Sequence, residues 1–118
     1  MDDKYRKKVE RFCRRNGYTL RWQKLKFGFE RAVLSFSDST TYTKAQTAAS
    51  KLPETKVSWK CHFQGEFDAE IYLMNSLDHK ALNDRLQEEK AANEAWWRAY
   101  HDADDETRKK MAAGYKET

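Results

Sequence analysis

Residues 57–74, VSWKCHFQGEFDAEIYLM, alternate apolar and polar side chains in two runs that meet at Gln64-Gly65. Such alternation marks a strand with one covered face, because successive side chains leave a strand on opposite sides. The loop length decides how the runs pair. A two-residue loop at Gln64-Gly65 sets Phe63 against Glu66 and so mixes apolar with charged residues. A three-residue loop, Gln64-Gly65-Glu66, pairs Phe63 with Phe67, Cys61 with Ala69 and Trp59 with Ile71. It also sets Lys60 opposite Glu70 and His62 opposite Asp68. Like meets like on one face and opposite charges meet on the other, so this register is predicted. Val57, Trp59, Cys61, Phe63, Ala69, Ile71 and Leu73 are then core, with a charge ladder outside. At a sheet edge, that ladder offers a recognition surface.

The segments before the hairpin carry other periods. Tyr5, Val9, Phe12 and Cys13 share one face of a 3.6-residue repeat. Asp2 and Asp3 open this helix, Arg14 and Arg15 close it, and Asn16-Gly17 provides a left-handed stop. Tyr18, Leu20 and Trp22 then alternate, after which the parity shifts to Leu25, Phe27 and Phe29. The shift predicts a bulge or turn at Gln23-Lys24. A second turn at Glu30-Arg31 precedes Ala32, Leu34 and Phe36, giving two or three strands. Thr43 with Gln46 forms a capping box for a short helix whose face is Ala45, Ala48, Ala49 and Leu52, ended by Pro53.

After the hairpin, residues 77–101 read as one helix capped by Asn75 or Ser76. Its 25 residues span about 37 Å, against about 20 Å for a six-residue strand. Leu77, Ala81, Leu82 and Leu86 are expected to pack its first half on the domain. Trp96, Trp97 and Tyr100 crowd its far end, with Met111 and Tyr115 of a short final helix, stopped by Gly114, placed to fold back on them. The expectation is an α+β fold: an antiparallel sheet of four to five strands with an N-terminal helix, a short middle helix and a long C-terminal helix. The division is 1–86 for the α+β domain and 87–118 for the helical extension.

Catalytic signatures are missing. Cys61 and His62 point to opposite strand faces, and His79 and His101 lie 22 residues apart on one helix, about 33 Å. No metal site is expected. Cys13 and Cys61 both lie on apolar stripes, where a thiol acts as a small hydrophobe. Glu54 and Lys56, with Asp38, suggest a metal-dependent nuclease, but Glu54 and Lys56 are expected in a loop after Pro53, a poor support for one. No Gly-rich loop cradles a nucleotide, and no cofactor is expected. No apolar run suits a membrane, the N-terminus lacks a secretory pattern, and unpaired cysteines fit a reducing, cytoplasmic setting.

Binding surfaces remain. Residues 1–64 hold 15 Lys+Arg against 6 Asp+Glu, net +9; residues 65–118 hold 8 against 13, net −5. Lys4, Lys7, Lys8, Arg11, Arg14 and Arg15 line the first helix, and Arg21, Lys24 and Lys26 are expected to extend that patch toward nucleic acid or an acidic partner. Trp96, Trp97, Tyr100, Met111 and Tyr115 form the expected protein interface, for a partner or a second copy. Small charge-rich inhibitors and adaptors of phages and mobile elements share this format. The expectation is a non-catalytic binding protein, adaptor or inhibitor, aimed at a nucleic-acid-associated partner. A direct RNA- or DNA-binding module is the alternative, and a small nuclease or hydrolase the third reading.

Overall fold

The computed structural model describes residues 3–114. Helix α1 (Asp3–Asn16) leads into strands β1 (Thr19–Lys24) and β2 (Glu30–Phe36), then helix α2 (Ser39–Ser50). Strands β3 (Thr55–Gln64) and β4 (Glu66–Asn75) follow, then helices α3 (Ser76–Asp102) and α4 (Asp105–Gly114). One antiparallel sheet holds four strands in the order β1-β2-β4-β3. The fold is α+β, with the N-terminal, middle, long C-terminal and short final helices that the sequence predicts. Two compact units, residues 1–82 and 83–118, meet within α3.

In the first unit, local chemistry explains most boundaries. Tyr5, Val9 and Cys13 are the buried face of α1. Gly17, at φ +71°, turns the chain out of the helix, with Tyr18 N–H donating to the Cys13 carbonyl at 2.9 Å and Gly17 N–H to Arg14 at 3.3 Å. A side chain there would strain the left-handed backbone. Asp2 lies outside the described residues.

Two boundaries differ from the sequence reading. The β1–β2 connection is residues 25–29, closed by Leu25 N–H on the Phe29 carbonyl at 2.7 Å. Phe27 and Gly28, at φ +61° and +80°, reverse the chain there, so the parity shift needs no bulge at Gln23-Lys24. Glu30 and Arg31 lie inside β2, opposite Lys24 and Gln23. Helix α2 begins at Ser39, four residues before the predicted Thr43 cap. Asp38 caps it, accepting from Thr41 N–H at 2.8 Å and Thr41 Oγ1 at 2.7 Å. This cap and burial of Tyr42 outweigh the weak helix propensity of Thr40, Thr41 and Thr43.

Helices α1 and α2 cover one sheet face. Tyr5, Val9, Cys13, Tyr42, Ala45 and Ala49 meet Ala32, Leu34, Phe36, Ala69, Ile71 and Leu73. Ala45 and Ala49 are fully buried, and their small side chains let α2 approach the strands closely. Edge-to-face rings run Phe12, Tyr18, Phe36, Tyr42, Phe67, with centroids 5.4–5.9 Å apart, a spacing that suits opposed ring quadrupoles.

The opposite face is sealed by polar groups. Arg31 donates to Gln23 at 2.7 Å and lies over the Tyr72 ring at 4.0 Å. Tyr72 Oη donates to Glu70 at 3.0 Å, and Glu70 pairs with Arg21 at 2.8 Å. Val33 sits beside Arg21 and Tyr72 in the ladders and is fully buried. Burial raises the Glu70 carboxyl, but its bonds to Arg21 and Tyr72 bring it below the ordinary carboxylate value. Burial, with the bond to Glu70, raises Tyr72.

The β3–β4 register is the predicted one: Trp59↔Ile71, Lys60↔Glu70, Cys61↔Ala69, His62↔Asp68 and Phe63↔Phe67, with Gly65 at φ +87° between the strands. Burial departs from the expectation on β3. Trp59 is 51% exposed and Cys61 is exposed. β3 is the outermost strand, and the helices cover the neighbouring β4 residues more fully than these two. The charge ladder also differs. Glu70 reaches across β2 to Arg21, and among the described residues Lys60 and His62 form no ion pair.

Asn75 caps α3, accepting from Leu77 N–H at 3.0 Å and Asp78 N–H at 3.3 Å. None of the α3 residues is buried, and Leu77 is 77% exposed. The expected packing of Leu77, Ala81, Leu82 and Leu86 therefore reduces to half-buried Leu82. No loop separates β4 from α3, so the strand end sets the helix's facing. Leu82 and His79 line a cavity with Met74, while Leu77 points to solvent. Among the described residues, no helix is long and apolar enough to cross a membrane.

Candidate protein-binding surface

In the second unit, a cluster of rings occupies the last turns of α3. Trp96, Trp97, Tyr100 and His101 fall at i, i+1, i+4 and i+5, which places them on adjoining helical faces. Trp96 stacks on Tyr100, centroids 5.4 Å apart and planes at 12°. Trp97 stands edge-on to both, at 4.8 Å from Trp96 and 5.6 Å from Tyr100, and lies 6.3 Å from the His101 ring. The indoles pack on each other and on Tyr100, and Trp97 remains 42% exposed while Trp96 is half-buried.

Helix α4 secures the platform. Asp104 caps α4 through Thr107 N–H at 2.7 Å, and its bonds to Thr107 hold its carboxyl below the ordinary value. Arg108 reaches back to α3, donating to the Tyr100 carbonyl at 3.1 Å and the His101 carbonyl at 2.8 Å. Its guanidinium lies 5.7 Å from the Tyr100 ring centroid. A cation on the exposed carbonyls of a helix end satisfies their hydrogen bonds and the helix dipole together. Met111 is half-buried; Tyr115 lies outside the described residues. Arg108 and His101 were absent from the expected site.

The basic residues divide differently from the expected single patch. Lys4, Lys7, Arg11, Arg14 and Arg15 are exposed on α1, and Lys8 is half-buried, with its ammonium 3.5 Å from the Pro53 carbonyl. Arg21 does not extend them: Leu20 and Trp22 face the α1 side of the sheet, so Arg21 points to the other face, where Glu70 neutralises it. Lys24 shares parity with Trp22, and its partner Glu30 pairs with Arg6 of α1 at 3.1 Å. Arg6 also lies 4.7 Å above the Trp22 ring, which uses the indole face that nucleobase stacking would need. Lys26 lies in the β1–β2 connection. Asp38, weighed as a metal ligand, is instead the α2 cap. Among the described residues, no group of three or more His, Cys, Asp or Glu is arranged to hold a metal ion.

No protein-family model, curated protein or solved structure matches this chain.

Proposed function

We propose that this chain is a non-catalytic protein-binding module, an adaptor or inhibitor, whose contact surface is the ring cluster of the α3–α4 hairpin. Its partner is a protein with an apolar pocket that takes the Trp97 indole. The observation that carries this is a 42% exposed tryptophan fixed by aromatic neighbours on a helix end braced by Arg108. Rigid aromatic anchors lose little side-chain entropy on binding, which is why they dominate interface energetics. The exposed part of Trp97 amounts to about 100 Å², worth about 2.5 kcal/mol when buried. Basic α1 steers the module toward acidic or nucleic-acid-associated partners.

The test is affinity capture with wild type, Trp97→Ala and Arg11→Glu/Arg15→Glu, followed by binding measurements on the purified partner. The expected result is a roughly 70-fold loss for Trp97→Ala at unchanged melting temperature. Undiminished binding by Trp97→Ala overturns the proposal. Light scattering on the isolated chain identifies self-association, and a dimer that Trp97→Ala splits makes the partner a second copy. The nucleic-acid reading is favoured by the run of exposed cations on α1. Five phosphate contacts give a salt slope of about −4.5, and a mobility shift with that slope, lost in Arg11→Glu/Arg15→Glu, is its signature.

A further inference from the structure

On the sheet face away from α1 and α2, a cavity of about 190 Å³ gathers three basic side chains from three elements: Arg31 of β2, Lys56 of β3 and His79 of α3. All belong to the first unit. Met74 and Leu82 supply apolar wall, and the Ser58 hydroxyl adds a further polar group. Among the described residues, no carboxylate lines the cavity.

Arg31 is held in place rather than neutralised. Its Nε donates to Gln23 at 2.7 Å and its plane rests on the Tyr72 ring at 4.0 Å. The nearby carboxylate, Glu70, is already taken by Arg21 at 2.8 Å and by the Tyr72 hydroxyl at 3.0 Å. Among the described residues, neither Arg31 nor Lys56 forms an ion pair. Collecting like charges without a counter-charge costs electrostatic energy that a bound anion would recover.

We infer that this cavity binds a small phosphate monoester with a short apolar substituent. Arg31 and Lys56 would hold the phosphoryl oxygens, Ser58 and His79 would add hydrogen bonds, and Met74 and Leu82 would cover the substituent. A phosphate head with about two negative charges matches the held Arg31 guanidinium and the Lys56 ammonium together better than a carboxylate does. The volume lies below the roughly 300–1,000 Å³ of sites for larger ligands, which favours a small ester. This site is separate from the aromatic surface and stands or falls without it.

The experiment titrates the isotope-labelled full chain with phenyl phosphate at low salt and follows its backbone amide resonances. Saturable shifts centred on residues 31, 56, 58, 72 and 79, weakening as salt rises, are expected. Lys56→Gln should weaken binding about ten-fold or more, whereas Lys60→Gln, on the same strand but outside the cavity, should leave it unchanged. Lys56 is exposed and makes no side-chain hydrogen bond among the described residues, so the variant tests binding rather than folding. Benzoate should bind more weakly than phenyl phosphate, and benzyl alcohol should leave these amides still. Shifts concentrated on α1, equal binding by benzyl alcohol, or unchanged affinity in Lys56→Gln overturns the inference. A phosphotyrosyl peptide that binds more tightly than phenyl phosphate overturns the assignment to a small free ester.

Discussion

The two cysteines should react with a thiol reagent on separate timescales. Cys13 is 2% exposed on the buried face of α1, and burial pushes its thiol up to about 11. At pH 8 a thiol with that value is about 0.1% thiolate, against about 24% for an ordinary cysteine near 8.5, so ionisation alone slows it roughly 200-fold. Reaction through unfolding restores ordinary ionisation but requires the open form. With about 5 kcal/mol of stability, that form is roughly one molecule in 5,000. The greater nucleophilicity of a high-pKa thiolate returns roughly ten-fold of that loss, so either route leaves Cys13 at least about ten-fold slower than an unfolded thiol, before its burial is counted. Cys61 is exposed on the outer strand and needs no opening. A disulfide-exchange reagent at pH 8 should therefore show one fast equivalent and one slow one. Cys61→Ser should remove the fast phase, and added urea should accelerate the slow phase as it populates the unfolded chain. Two fast equivalents in the native protein, or a fast phase that survives Cys61→Ser, would refute this account of how α1 and β3 are covered.

Two further predictions concern stability. Glu54 holds a left-handed backbone at φ +56° while its carbonyl accepts the Ser76 N–H at 2.8 Å. Glu54→Gly should raise the unfolding free energy by about 1 kcal/mol, read as a higher urea midpoint; a lowered midpoint would show that the glutamate relieves that strain itself. Glu70 is depressed in the folded state, so its stabilisation is present above the ordinary carboxylate range and fades as pH falls through its folded value. Wild type should exceed Glu70→Gln by no more than about 1 kcal/mol at pH 7, with the gap closing in acid. A gap that widens in acid would reverse the assigned sign.

Much of the fold was legible because it depends on local periodicity. The β3–β4 register followed from matching Trp59 to Ile71 and Cys61 to Ala69, since a one-residue slip would turn every side chain to the wrong face. The α1 stripe and its Gly17 exit were equally local. Helix α2 was misjudged at its start because Thr43 with Gln46 offers a local capping box, whereas the Asp38 cap and the Tyr42 contacts begin the helix earlier. Of the site residues, Trp96, Trp97 and Tyr100 were visible as a dense aromatic group on one helix. Arg108 was not, because its partners are backbone carbonyls of α3, and a sequence carries no mark of where a carbonyl is left open.

Read alone, the chain determines which side of each strand is apolar, where α1 ends, and that bulky rings crowd the last turns of α3. Tertiary structure decides how much each apolar face is covered. The strand order β1-β2-β4-β3 leaves β3 outermost, and that exposes Trp59 and Cys61 although their parity is that of core residues. It likewise brings Arg31, Lys56 and His79 to one cavity from positions with no shared period. Periodicity fixes the direction of a side chain relative to its own backbone. What that side chain meets depends on which other segments fold onto the same face, and that is a property of the assembled sheet.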